Sequence, residues 1–118
     1  MAATKTARAL YSGSPTAGGA AVSATEWDLS TKYGGLLTVV LTNGSAPTGV
    51  APFFVVYTGD ATGVKRQYWT ASGDLTASSV NSFSINLPPA AMFVNVDCKS
   101  GSTNATAFVV EGQELTGV

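Results

Sequence analysis

The stretch LLTVVLT, residues 36–42, is the longest nearly uninterrupted run of strand-forming residues in the chain. Leu37, Val39 and Leu41 fall on one face of a strand, because side chains alternate between the two faces. That face is fully apolar, whereas the other face mixes aliphatic residues with threonines. Such a pattern is typical of a central strand with a core on one side and partial cover on the other. We therefore expect the rest of the chain to be arranged around this strand.

The same alternation recurs along the chain and predicts seven or eight short strands. Clear examples are FFVVYT at residues 53–58 and SFSINL at residues 82–87. Turns rich in glycine, proline and serine separate the strands, and no segment shows a convincing helical period. The pattern predicts an all-β fold, a single-domain antiparallel β-sandwich in either jelly-roll or Greek-key topology.

Two pairs of neighbouring strands are joined by connections short enough to predict hairpins. Residues 53–58 would pair with residues 64–71, and residues 90–99 would pair with residues 105–115. Each connection contains glycine, which tolerates the backbone angles of tight turns.

The length of 118 residues corresponds to one domain. Residues 1–19 are small, polar and rich in glycine, and we expect an N-terminal arm and flexible loop there. A short strand that includes Thr4, Thr6 and the following Ala-Leu-Tyr is the alternative for the start of this segment. Residues 20–118 carry the strand pattern and are expected to form the β-sandwich domain.

The composition is unusual in its lack of charge. Charged residues make up 11% of the chain, against about 25% in an average soluble domain. Threonine, serine, alanine and glycine take their place. A free monomer in water normally carries more surface charge, so this composition predicts a surface that largely faces other protein. The alternative is a monomeric β-domain of low charge.

The composition also argues against several classes of partner. The net charge is −1, and Lys65-Arg66 is the only basic pair, so we expect no nucleic-acid binding. No apolar run approaches the ~20 residues of a membrane span, and no secretory signal is apparent. We therefore expect no membrane contact and synthesis in the cytoplasm, where the protein either stays or enters a particle assembled there.

No catalytic or metal-binding constellation stands out. The chain has no histidine, and its single cysteine, Cys98, falls on an apolar strand face. The spacing of the carboxylates suggests no facing pair of the kind that a glycosidase needs, except Glu111 with Glu114 near the C-terminus. We therefore predict a protein that is not an enzyme and that needs neither a metal nor another cofactor.

Aromatic residues offer a second interpretation, because ring faces can stack on sugars. The candidates for such a platform are Trp27, Tyr33, Tyr57, Tyr68 and Trp69. Aromatic residues in strands more often belong to a core or to a protein interface. A carbohydrate-binding attachment module is accordingly the alternative from a different functional class.

Four short sequence segments, at residues 28–39, 42–44, 47–48 and 111–117, are similar to segments of a known family. In them the chain resembles small β-sandwich virion structural proteins of tailed bacteriophages. The resemblance implies a non-enzymatic virion component, most often a capsid decoration (cement) protein that stabilises the head lattice. A tail or fibre component is the alternative. The resemblance further implies two kinds of partner. One is the major capsid protein, and the other is copies of the chain itself, commonly in a homotrimer.

We predict that the N-terminal segment and the exposed aromatic residues supply the contacts to such a partner. The residues concerned are Lys5, Arg8, Leu10, Tyr11, Tyr33, Tyr68 and Trp69.

Overall fold

The computed structural model describes residues 4–117, and all regular structure in that range is β-strand. The strands are β1 (Thr4–Gly13), β2 (Val22–Ser23), β3 (Trp27–Asp28), β4 (Gly35–Asn43), β5 (Phe53–Gly59), β6 (Arg66–Ser72), β7 (Val80–Leu87), β8 (Phe93–Lys99) and β9 (Thr106–Gly117). Over this part of the chain, no helix has the length and apolar character that crossing a bilayer requires.

The strands form two antiparallel sheets that pack face to face. The first sheet has the order β1-β9-β4-β7. The second has the order β2-β8-β5-β6, and β3 pairs with β8 beside β2. This is the strand order of a jelly roll in which β2 and β3 together take the place of one strand. The predicted all-β sandwich is therefore confirmed, and its topology is the jelly roll.

Strand β4 lies in the middle of the first sheet, between β9 and β7. Leu37, Val39 and Leu41 are buried, as their spacing predicts. They pack in one core with Phe54 and Val56 of β5, from the opposite sheet. Burial of aliphatic and aromatic side chains between the two sheets is the main force holding them together.

The structure places residues 4–13 of the predicted arm in the first sheet as strand β1. This strand pairs with β9 along its whole length and is an edge of the sheet. Most side chains of β1 are exposed, and backbone hydrogen bonds to β9 hold the strand in place. Residues 1–3 of the predicted arm lie outside the described residues.

One predicted hairpin is confirmed and the other is wrong. Strands β5 and β6 pair as expected. Strand β8 belongs to the second sheet, whereas β9 belongs to the first, so the segment between them crosses from one sheet to the other. The buried hydroxyl of Ser100 stabilises the crossing by donating to the carbonyl of Pro15 at 2.6 Å. It also accepts from the backbone N–H of Thr106 at 3.0 Å.

A buried hydroxyl near this crossing has no hydrogen-bond partner among the described residues. It belongs to Thr48, which is fully buried. Replacing Thr48 by valine is expected to raise the free energy of unfolding by about 1 kcal/mol, because an unpaired polar group leaves the core. Urea denaturation measures the change. Thr106→Val is the control, since that buried hydroxyl donates to Asn43 Oδ1 at 2.8 Å, and its loss should destabilise. Equal losses in both variants would contradict the prediction.

Candidate functional site

A trough of about 500 Å³ opens at one end of the first sheet. Leu36 of β4 and Leu115 of β9 contribute to its apolar lining. Tyr33 and Tyr68 line it, and Lys5 of β1 is the only charged residue in its lining among those that the structure describes. A mostly apolar concave surface with a few polar groups is the usual form of a binding site.

Backbone hydrogen bonds to Leu115 of β9 and the conformation of Gly34 hold Tyr33 at the trough. Its backbone N–H donates to the carbonyl of Leu115 at 2.9 Å, and the N–H of Leu115 donates to the carbonyl of Gly34 at 3.0 Å. Gly34 has φ +80°, and a Cβ there would lie 2.4 Å from the carbonyl oxygen of Leu87. Only glycine fits both requirements, so the sequence Tyr33-Gly34 fixes where this ring stands.

Tyr68 reaches the trough from the other sheet. It lies on β6, an edge strand of the second sheet, and is 45% exposed. Its hydroxyl lies 3.5 Å from the carbonyl oxygen of Asn86 on β7, the edge strand of the first sheet. A second hollow, of about 290 Å³, lies beside the trough and shares Tyr68 and Pro88 with it. Tyr68 therefore stands where the trough adjoins the second hollow, whose lining includes the charged residues Asp60 and Arg66.

Trp69 does not line the trough. Its ring packs against Phe54 and Phe83, with centroids 5.7 and 6.0 Å apart, where the edges of the two sheets meet. Such tilted aromatic pairs stabilise the core that they cover. The predicted sugar platform is dispersed as well, because Trp27 is buried and Tyr57 lies beneath the ammonium of Lys65.

Arg8 makes an internal ion pair rather than standing free on the surface. Its Nε and Nη2 atoms both lie 2.7 Å from Oε1 of Glu114, a carboxylate that is only 1% exposed. The indole Nε1 of Trp27 donates to Oε2 of the same carboxylate at 2.9 Å. Both oxygens of a buried charge are thus occupied, which is the arrangement that makes its burial tolerable.

Two glycines make room for this cluster. A Cβ at Gly112 would lie 2.6 Å from the Trp27 ring, and a Cβ at Gly35 would lie 3.0 Å from it. The sequence pattern did not predict this cluster, although Glu114 falls at an inward position of β9, on the same face as Val110 and Gly112. A charge on an otherwise apolar face is the signal that reveals it.

Leu10 and Tyr11 are also turned toward the protein's own interior. Leu10 is buried in the core, and Tyr11 is partly buried against it. The register with β9 shifts between Ala9 and Tyr11, which indicates a β-bulge that turns neighbouring side chains to one face. Of the seven predicted contact residues, Lys5, Tyr33 and Tyr68 are brought together at the trough.

Glu111 and Glu114 do not face each other as a catalytic pair would. Glu111 and Glu114 are three residues apart in a strand, so one points outward and the other inward. Within residues 4–117, no group of three or more cysteine, aspartate or glutamate side chains is placed to hold a metal ion.

Cys98 is fully buried. Burial, and then the nearby charge of Asp97, raise the pKa of the Cys98 thiol from 9.0 to about 12. Because the unfolded chain releases this proton first, stability is expected to fall as pH rises from about 9 to about 12, by up to about 1.4 kcal/mol per pH unit. Denaturation across this range should show a shallower slope in Cys98→Ala, and an unchanged slope would contradict the assignment.

The outer face of the first sheet is nearly free of charge, and we name it the neutral face. Its outward residues follow from the strand register, and they are Lys5, Ala7, Ala9, Ser12, Leu36, Thr38, Val40, Thr42, Val80, Ser82, Ser84, Asn86, Ala107, Val109, Glu111, Gln113 and Leu115. Only Lys5 and Glu111 are charged. Rows such as Val109, Val40 and Ser82 cross the sheet, so short side chains make up most of this face.

The outer face of the second sheet has the opposite character. Lys65 lies 3.2 Å from Asp97, and Glu26 accepts from the backbone N–H of Gly63 at 2.9 Å and the amide of Asn95 at 3.0 Å. These two hydrogen bonds lower the pKa of Glu26. The β5–β6 loop therefore lies over this face and is fixed there by ionic and polar contacts. The two broad faces of one small protein differ sharply in charge.

No family model matches the chain, and no curated protein sequence matches it. Solved structures do match. The chain is similar to a chain in the structure of infectious bursal disease virus, Gx strain, with a TM-score of 0.60 and 12% identity over 98% of this chain. It is similar to the disulfide-linked pili of Bacillus endospore appendages, with a TM-score of 0.56 and 15% identity over 100% of this chain and 93% of that one.

A third similar structure is the SPBc2 prophage-derived protein YomS, with a TM-score of 0.51 and 14% identity over 98% of this chain and 96% of that one. The chain spans 33% of the bursal disease virus chain and 62% of a matching adhesin domain of Lys-gingipain from Porphyromonas gingivalis. Identities this low show a shared fold, and β-sandwiches of this kind carry many functions.

Proposed function

We propose that this protein is a non-enzymatic structural component of a phage virion, and specifically a decoration protein that stabilises the head lattice. In this proposal the neutral face covers the surface of neighbouring major capsid subunits. The charged outer face of the second sheet is turned to solvent.

The difference in charge between the two outer faces carries this proposal. A face meant for water normally bears mixed charges, as the second sheet does with Lys65 and Asp97. The centres of protein interfaces are depleted of charged residues, as the neutral face is with only Lys5 and Glu111. Short threonine, serine, alanine and valine side chains also lose little conformational entropy when they are covered.

The solved structures support the same class of role without specifying it. They include a chain of a virus structure, a prophage-derived protein and a pilus protein. Two of these come from structures of an assembled particle or appendage, so the fold is compatible with a role as a subunit of a larger assembly. A structural role agrees with this range better than a catalytic one.

A tail or fibre component is the second candidate, because the same neutral face would serve contacts in either part of a virion. Electron cryo-microscopy of the intact particle distinguishes the two. Density for this protein on the head lattice supports decoration, whereas density confined to the tail supports the alternative.

The direct test uses expanded phage heads that lack the protein. A ligand that binds only the assembled shell stabilises it by mass action, by about 2.7 kcal/mol at a concentration of one hundred times Kd. Purified protein should therefore sediment with these heads and raise the temperature at which they rupture. Failure to bind, together with unchanged heat resistance, would contradict a decoration role.

A further inference from the structure

We propose that the apolar trough receives the opposite end of a second copy of this chain, with Leu75 entering the trough and Asp74 facing Lys5. The inference goes beyond the proposed role on the virion. It also stands independently of that role, because the contact joins purified copies in the absence of any shell.

Among residues 4–117, the trough offers no partner for its one charge. Lys5 is the only charged residue of this range that lines it, beside tyrosine, leucine and proline side chains. No carboxylate within residues 4–117 lies within 4.0 Å of the Lys5 ammonium. The chemistry of this trough therefore fits an aliphatic side chain that is accompanied by a carboxylate.

The loop between β6 and β7 presents that combination. Leu75 is 50% exposed, and Asp74 precedes it directly. Val50, in the neighbouring β4–β5 loop, is 59% exposed. We name Asp74, Leu75 and Val50 the apolar tip. Exposed aliphatic side chains grouped in this way are a common sign of a protein contact.

The backbone of the tip is fixed before any contact forms. The buried amide of Asn43 donates to the carbonyls of Asp74 and Thr76, at 2.7 and 2.9 Å. The N–H of Thr48 donates to the carbonyl of Leu75 at 3.1 Å. Three consecutive carbonyls are thus held by fixed donors, so Leu75 is presented outward with little entropy left to lose on binding.

The tip and the trough lie at opposite ends of the strands. Strand β4 starts at Gly35, which lines the trough, and ends at Asn43, which holds the tip. A tip can therefore not reach the trough of its own chain, but it can reach that of a second copy. Such a head-to-tail contact joins unlike surfaces, and it closes into a ring, as in a trimer, or continues as a filament.

Two variants that are defective at opposite ends test this contact. Lys5→Asp places a like charge opposite Asp74 and leaves the tip intact, whereas Leu75→Ser removes the apolar group and leaves the trough intact. Both positions are exposed, so both variants should fold, and circular dichroism checks this. In sedimentation velocity, each variant alone should associate at least about tenfold more weakly than the wild type.

An equal mixture of the two variants provides the decisive result. The tip of Lys5→Asp meets the trough of Leu75→Ser, so the mixture should form 1:1 dimers and nothing larger. Val80→Ser, which alters a residue 59% exposed outside the tip, is the control and should associate like the wild type. A wild type that stays monomeric at millimolar concentration overturns the proposal, and so does a mixture without dimers. These outcomes do not depend on whether the protein binds phage heads.

Discussion

Replacing Arg8 by alanine is expected to lower the free energy of unfolding by about 3 kcal/mol. The substitution leaves the carboxylate of Glu114, only 1% exposed, with the indole of Trp27 as its remaining partner. Removing one member of a buried ion pair typically costs about 3–5 kcal/mol. The lower end applies here, because the Arg8 side chain is itself 52% exposed. Urea denaturation measures the loss.

A second substitution separates charge from packing. In the double variant Arg8→Ala/Glu114→Gln no buried charge is left uncompensated, and the glutamine carbonyl can still accept from Trp27. We expect it to recover at least half of the loss. Arg66→Ala is the matched control, because its pair with Asp60 is largely exposed, and it should change stability by less than about 0.5 kcal/mol. A single Arg8→Ala variant as stable as the wild type would refute the role of this pair.

Replacing Gly112 by valine is expected to lower the free energy of unfolding by about 3–5 kcal/mol. The new Cβ would lie 2.6–2.9 Å from three atoms of the buried Trp27 ring. The ring must then move, which combines overpacking, at about 1–3 kcal/mol, with loss of a hydrogen bond to a charged group, at about 1.5–3 kcal/mol. Urea denaturation, followed by tryptophan fluorescence, measures both the stability and the displacement of the ring.

The neighbouring position supplies the control for this prediction. Gln113 faces outward on the same strand, so Gln113→Val should change stability by less than about 0.5 kcal/mol. If Gly112→Val unfolds within 1 kcal/mol of the wild type, with unchanged tryptophan emission, the close packing of Trp27 on β9 is disproved.

The alternation of side chains predicts much of this fold, because it reports directly on burial. Leu37, Val39 and Leu41 are inward on a central strand, and Phe83 and Ile85 follow the same rule on β7. Alternation cannot tell which strands pair, however, since any two such strands offer the same faces. For this reason the chain between β8 and β9 resembles a hairpin turn in sequence and yet crosses between sheets.

Part of the candidate site could likewise be predicted from the sequence, and part could not. Exposure of Tyr33 and Tyr68 could be anticipated from their flanking turn and polar residues, and both line the trough together with Lys5. The ion pair between Arg8 and Glu114 could not be predicted from the sequence, because the two residues are 106 positions apart and meet only through the β1–β9 pairing. Contacts of this range depend on topology, which local pattern does not encode.

The most direct test of the account compares one added charge on each outer face. Val40 lies within the neutral face, and Val55 is an outward, half-buried valine of the second sheet. If the neutral face binds the shell, Val40→Lys buries an unpaired charge and should weaken binding to expanded phage heads at least about 30-fold. Val55→Lys should bind like the wild type. Equal binding by both variants, or a loss confined to Val55→Lys, would contradict the account.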